Sequence, residues 1–483
     1  MKSFILNILF IGCITMFSNA QISFYKTYTG GLYDVGQGGV ELPDSSYAIT
    51  GSTSSLSSTS SQAMLMVVDS LGNHQWTKGY GGDEADWGRR IFYRENEGFW
   101  IFGYSSSYGD GSFDMTIWRI DEQGDLIWDK IFPTTSWYRL WDAIELPNGD
   151  FVISGEIEGD ETMDKDILIH RVTDEGDVVW EKYIENEGDD VPYALSLYDD
   201  TTVIVAGEYY QNDQKNGIIL NLHTDDGETN TQWIYDEDGP ASFRTVDVYD
   251  GLIFPAGAVN TTTMDYVNTV ILKVDLDYNV ISKYITPYEE DDYASSISVV
   301  DEERLLWVMY TESPHHNVFP GGPDAILLKF HVDLYFFFLS MPLSGYDPDE
   351  IHQIIKTSDG GALLIGFCSD DRNQSSAGSN VMLMKVGPND ETTGDPDSGN
   401  DLVNLEDEKL ETKIGVYPNP FSSQLNLKAE EPIEKIDVFS YDGRKVQFTY
   451  ENNMISLINA SKGTYFLRVH FKNSIQTKKI IKN

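Results

Sequence analysis

Residues 142–184 read DAIELPNGDFVISGEIEGDETMDKDILIHRVTDEGDVVWEKYI. Four short runs with β-forming residues stand out: Ala143–Leu146, Phe151–Ser154, Asp166–Val172 and Asp177–Ile184. Pro147-Asn148-Gly149-Asp150 and Asp174-Glu175-Gly176 separate them with turn chemistry, so each pair reads as a hairpin. A lone four-stranded sheet leaves both faces in water, whereas copies packed face to face bury them. The unit therefore predicts its own repetition.

The repetition is present. The glycine that ends the second strand recurs as Gly51, Gly103, Gly155, Gly207, Gly257 and Gly366, with Met309 in the remaining slot, at intervals of 52, 52, 52, 50, 52 and 57 residues. An aromatic in the fourth strand recurs as Trp76, Trp128, Trp180 and Trp233, then degrades to Ile281 and Phe338. A period near fifty with four strands per unit is the signature of propeller blades. The seventh unit stops at Gly387-Pro388 without its fourth strand. Residues 21–30, QISFYKTYTG, align with 73–82, NHQWTKGYGG, at the same offset of 52. An N-terminal strand that completes the last blade closes the ring and removes its open edge. The expected fold is all-β: a seven-bladed β-propeller over residues 21–387, followed by a small C-terminal β-sandwich. An open solenoid or two separate sheets would have little use for the split copy.

Asp69…Gly72, Asp121…Gly124 and Thr173…Gly176 mark the turn between third and fourth strands, with Trp four residues after the Gly in each case. A Trp at one fixed place per blade is expected to pack between neighbouring sheets. The spacing resembles the tryptophan-docking repeat of quinoprotein propellers, although that repeat has Thr before its Gly. It also falls where sialidase-type propellers carry Asp boxes, in which Asp, Gly and aromatic stand closer together. Neither chemistry carries over. Through Thr357-Ser358-Asp359-Gly360-Gly361 and Gly72-Asn73-His74-Gln75-Trp76-Thr77-Lys78, the units are most similar to a repeat family of secreted proteins in Bacteroidetes and some archaea. That resemblance informs fold and source and carries no assigned activity.

The chain has 483 residues and a formal net charge of −45. Such a surface repels nucleic-acid phosphates and anionic membranes, so neither is an expected partner. It suits a soluble exported protein. At the N-terminus, Lys2, an apolar run from Phe4 to Phe17, and Ser18-Asn19-Ala20 have the layout of a signal peptide over residues 1–20, too short for a stable membrane anchor. Cys13 gives a rival reading as a lipidated cysteine, against which Phe10 stands where Leu is usual. Cleavage after Ala20 leaves Cys368 as the only cysteine and no disulfide framework; its expected role is a small buried apolar residue. No transmembrane segment is expected in the mature chain.

The start of each innermost strand lies near the channel mouth of a propeller. Fourteen residues before each marker stand Gln37, Arg89, Trp141, Tyr193, Phe243, Ser295 and His352. Seventeen before stand Asp34, Asp86, Tyr138, Asp190, Pro240, Asp292 and Asp349. The aspartates read as repeated caps or as a ring able to hold Ca²⁺, for which seven-fold convergence is geometrically demanding. No cofactor motif accompanies them. Trp87, Arg89, Trp137, Tyr138, Arg139, Trp141 and Tyr193 form the richest cluster and the candidate binding residues, suited to stacking a sugar or anchoring a protein loop. The alternative is that one or two of them plug the channel.

Catalytic constellations are not found: there is no metal-binding His pair at helical spacing, phosphate-cradling loop or nucleophile elbow. His315-His316 falls in a Pro- and Gly-rich surface loop. Carboxylate spacing alone selects no glycosidase pair among 78 acids. A sialidase-like reading would draw on Arg89, Arg90, Arg139 and Arg244.

Residues 388–411 are acidic, polar and rich in Gly and Pro, an expected flexible linker. Residues 412–483 then alternate as a small β-sandwich. They resemble the type A C-terminal sorting domain of the type IX secretion system through Tyr417-Pro418-Asn419-Pro420-Phe421, Asp442-Gly443-Arg444, Ser461-Lys462-Gly463-Thr464-Tyr465 and the terminal Lys478-Lys479-Ile480. The resemblance implies that secretion machinery is a partner, with passage to the cell surface or medium and removal of this domain. Residues from Lys462 onward hold six Lys/Arg and no acid, a docking face. The expected function is an exported, non-catalytic glycan- or surface-protein-binding module. The alternatives are an extracellular polysaccharide hydrolase or lyase and a structural surface or matrix protein.

Overall fold

The computed structural model describes residues 23–482 apart from 58–59, 109–111, 135, 159–163, 261–265, 287–290, 312–323, 344–349, 370–377, 389–396, 402–413, 430–431, 434, 441–444, 452, 458–459 and 472–474. The signal segment, His315-His316, Asp349 and Gly443 lie outside the described residues. Every regular element among the described residues is a β-strand. In the founding unit the strands are Tyr138–Glu145, Phe151–Glu158, Lys165–Val172 and Val178–Ile184, longer than the sequence pattern alone delimits but in the same places.

Among the described residues, seven antiparallel meanders of this kind follow one another along the chain. Their innermost strands are Asp34–Glu41, Asp86–Arg94, Tyr138–Glu145, Val191–Asp199, Ala241–Tyr249, Asp292–Asp301 and Glu350–Lys356. Neighbours touch in that order, and the last returns to the first, which closes a propeller ring. The seventh sheet takes its fourth strand from the other end of the chain: Phe24–Thr29 pairs antiparallel with Ser379–Val386, from Phe24↔Lys385 to Tyr28↔Val381. Part of the expected flexible linker departs from expectation. Asp397–Asp401 adds a fifth, parallel strand outside Phe24–Thr29 and covers the edge that strand would otherwise expose.

The core lies between sheets. Leu306, Val308 and Leu327 of the sixth sheet pack with Ile354, Leu364 and Met382 of the seventh, and Cys368 is buried among them. Four of the six marker glycines share one spatial reason. A Cβ on Gly51, Gly103, Gly257 or Gly366 would lie within 2 Å of a carbonyl oxygen on the neighbouring innermost strand, Val35 O, Trp87 O, Ser242 O or Glu350 O respectively. Close backbone approach, rather than positive φ, fixes the marker.

The fourth-strand aromatics reach the next sheet, as the sequence predicts. Trp76, Trp128 and Trp180 lie against Gly124, Gly176 and Gly227, each at a positive-φ turn where a Cβ would meet the indole at 3.0, 3.6 and 2.8 Å. Phe24 does the same at Gly72 and so fastens the seventh sheet to the first.

The C-terminal domain places Ile414–Tyr417, Gln424–Ala429, Thr449–Glu451 and Met454–Ser456 in one sheet and Lys435–Ser440, Gly463–His470 and Ile475–Lys482 in another. Leu427, Val438, Ile455, Leu467 and Ile480 form a shared core. Its basic face already has contacts: Arg468 donates to the Asp129 carboxylate at 2.8 Å, and Lys478 lies 3.6 Å from Asp83, both on the ring.

Candidate binding site at the channel mouth

An extra residue in each innermost strand builds the site. The register shifts between Gly36 and Gly38, Gly88 and Arg90, Leu140 and Asp142, Val191 and Ala194, Phe243 and Thr245, Ala294 and Ser296, and Ile351 and Gln353. A β-bulge leaves its extra residue unpaired and redirects its side chain. The bulged residues are Gln37, Arg89, Trp141, Tyr193 (with Pro192), Arg244, Ser295 and His352. All but Gln37 line a cavity of about 750 Å³, and Gln37 accepts a hydrogen bond from Arg89 at its margin.

Of the sequence candidates, Arg89, Arg139, Trp141 and Tyr193 meet in this cavity. Trp87, Trp137 and Tyr138 do not. The Tyr138 ring is buried in the core, where it holds in the third sheet the position that Asp34 and Asp86 hold in the first two. Trp87 packs on Tyr104, with ring centroids 5.5 Å apart, and donates to Ser61 Oγ at 2.9 Å. Trp137 sits edge-on to Phe113 at 6.0 Å. In the fifth sheet Phe243 turns into the core, and Arg244 takes the channel position.

Trp141 and Tyr193 meet edge to face, with centroids 4.8 Å apart. The Arg139 and Arg89 guanidinium carbons stand 4.2 and 5.1 Å from the Trp141 ring, and Arg244 stands 4.3 Å from Tyr193. Trp141 is anchored by its indole N–H, which donates to Glu156 at 3.0 Å. Opposite, His352 is held between Gly36 O at 2.8 Å and Glu350 at 3.2 Å. Burial pulls the Arg89 guanidinium down to about 10, and the like charges of Arg90 and Arg139 act in the same direction. Burial also raises the Tyr193 phenol, so at neutral pH it stays a hydrogen-bond donor. The site thus combines a rigid aromatic corner with three guanidinium groups.

The aspartate slot has a different role. Asp34 accepts from Gly30 N, Thr53 Oγ1 and Ser55 Oγ at 2.9, 2.6 and 2.7 Å. Asp86 repeats the pattern with Gly82 N, Ser105 and Ser107. These carboxylates tie the incoming chain to the second strand. Among the described residues, no group of three or more His, Cys, Asp or Glu side chains is placed to hold a metal ion.

The chain is similar to known proteins in fold and, at its C-terminus, in sequence. A structural likeness takes in 75% of this chain and 96% of a polysaccharide lyase described as an ulvan lyase, at 13% identity and a TM-score of 0.49. Another takes in 98% of Chaetomium thermophilum Sqt1 and 76% of this chain (10% identity, TM-score 0.41). For the Neurospora crassa Pan2 WD40 domain the shares are 92% and 77% (12%, 0.41). No curated protein matches the sequence. Residues 415–483 match the secretion system C-terminal sorting domain. The C-terminal domain is therefore a type IX secretion sorting domain, and the protein is one destined for the cell surface or the medium. Among the described residues, no helix is long and apolar enough to cross a membrane.

Three of the four sorting blocks have described residues. Asn419 Oδ1 accepts from Ile481 N at 2.7 Å, and Phe421 N donates to Ile481 O at 2.8 Å, which binds the Tyr417-Pro418-Asn419-Pro420-Phe421 block to the terminal strand. Gly463 opens its strand, and the Tyr465 hydroxyl donates to Ser461 O at 2.7 Å. Lys478 and Lys479 lie on the last strand.

Proposed function

We propose that the protein is an exported, non-catalytic glycan-binding module that takes a saccharide at the channel mouth. The observation that carries this reading is the Trp141–Tyr193 corner, with Arg89, Arg139 and Arg244 around it in one open cavity. Aromatic faces stack on the apolar side of a sugar ring, and guanidinium groups donate to its oxygens. The sorting domain puts such a site where extracellular glycans are found.

The carboxylates of the cavity favour binding over acid–base hydrolysis. Asp142 pairs with Arg90 at 2.5 Å and accepts from Leu195 N, while Glu145 pairs with Arg94 at 2.7 Å. Asp247 accepts from Val299 N at 2.7 Å and faces Lys356 at 3.4 Å; Glu350 contacts His352. Each has a structural partner, whereas a glycosidase needs two carboxyl groups facing the scissile bond.

A glycan-array screen of the secreted protein tests the reading, with Trp141→Ala and Trp137→Ala alongside. Binding lost in Trp141→Ala and kept in Trp137→Ala is the expected result. Folded protein that binds no glycan would overturn it.

A further inference from the structure

We infer that the glycan is acidic, and that Arg89, Arg139 and Arg244 receive its carboxylate or sulfate group; this rests on the glycan-binding reading. The chain carries 78 acids against 33 Lys and Arg. In such a protein most cations find a carboxylate, as Arg90 does in this same cavity, and the buried exceptions such as Arg119 are satisfied by backbone carbonyls. Arg89 instead contacts only neutral acceptors, Gln37 Oε1 at 2.5 Å and Trp141 O at 3.4 Å. The Nε atoms of Arg139 and Arg244 are buried without a hydrogen-bond partner.

Among the described residues these three half-buried guanidinium groups have no carboxylate in ion-pair contact, since Asp142, whose charge reaches Arg89, is paired with Arg90; they form a locally positive site inside a strongly negative molecule. Withholding charges from water is costly unless a counter-charge arrives, so the arrangement favours an anion. Guanidinium groups suit planar carboxylates and sulfates because they donate two parallel hydrogen bonds. The neighbouring aromatic corner requires that the anion be attached to a stacking body, as a uronate or a sulfated sugar is. The overall charge adds a safeguard: a polyanion is repelled from the rest of the surface, so its binding must be local.

The test is calorimetric titration of the secreted protein with three oligosaccharides of equal length. One is a neutral glucan, one carries carboxylates as an oligogalacturonate, and one carries only sulfates as a carrageenan fragment. At least one acidic ligand is expected to bind tenfold or more tightly than the neutral one, with affinity that falls as salt rises. An Arg139→Gln/Arg244→Gln variant should lose that advantage, weakening the acidic ligand at least tenfold more than the neutral one, while Arg244→Lys should keep part of the preference. Whichever acidic arm wins identifies the anion. If the neutral ligand binds as tightly as both acids, or the Gln variant weakens all ligands equally, the acidic inference fails and the glycan reading survives. Absence of binding by all three ligands together with a blank glycan array would overturn both.

Discussion

The outer turn of each sheet and the bulge of each innermost strand occupy equivalent positions in successive repeats, yet they have diverged in opposite ways. At the outer turn the same contact recurs. Phe24, Trp76, Trp128 and Trp180 lie on Gly72, Gly124, Gly176 and Gly227. Lys26, Lys78 and Lys130 reach Asn73, Asp125 and Asp177 at 2.7, 2.8 and 2.6 Å. Tyr28 and Tyr80 donate to Gly72 O and Gly124 O at 2.6 and 2.8 Å. At the bulge, Gln, Arg, Trp, Tyr, Arg, Ser and His follow one another in equivalent backbone settings. A contact that fastens sheet to sheet serves every junction it spans, and it repeats across four consecutive ones. The proposed ligand site would be needed once, which fits different groups at its symmetry-related positions.

This contrast can be broken at several points, with effects of declining size. Gly103→Val should be the most damaging, because its Cβ would stand 1.9 Å from Trp87 O. A loss of about 4 kcal/mol or failure to fold is expected, read by chemical denaturation. Trp128→Ala removes a junction indole and should lower stability by about 2–3 kcal/mol while leaving ligand affinity unchanged.

The ring should also respond to pH through its aspartate slot. Burial raises Asp86 and Asp190 to about 7 and Asp292 to about 6. Between the ordinary carboxylate value and these, the folded state holds protons that the unfolded chain has released. The contribution of these groups to stability therefore falls as pH rises through that window. Asp86→Asn should gain about 1–3 kcal/mol on wild type between pH 5 and pH 8, and urea melts at the two pH values measure it. Lys130→Met should change stability least, by about 0.5 kcal/mol or less, since its partner Asp177 is 72% exposed.

Much of the frame was legible because repetition multiplies a weak signal. Gly72-to-Trp76 spacing alone says little; its recurrence at Gly124 and Gly176 marks the sheet-to-sheet junction. The split sheet was legible for the same reason, through the likeness of Phe24–Tyr28 to Trp76–Tyr80. The site was legible only in part. Counting back fourteen residues reaches the bulge wherever the connecting hairpin has its usual length. In the fifth sheet Tyr249 pairs directly with Leu252, without the additional register shift seen at Leu197/Asp199 and Val299/Asp301. The count there is one too long and selects Phe243 instead of Arg244. Trp87, Trp137 and Tyr138 misled because composition ranks a residue by chemistry, while the bulge decides which side chain enters the channel. The strand Asp397–Asp401 was hidden because its acidic, glycine-containing sequence has low strand propensity; backbone pairing with Phe24–Thr29 places it.

If the bulged slot binds ligand while the outer junction holds the ring together, damage to one leaves the other intact. Titration of wild type, Trp141→Ala and Trp128→Ala with the strongest glycan from the array tests it most directly. Trp141→Ala is expected to lose binding and keep its melting temperature within a few degrees, whereas Trp128→Ala should melt earlier and bind as wild type. Equal loss of binding in both variants, or none in Trp141→Ala, would contradict it.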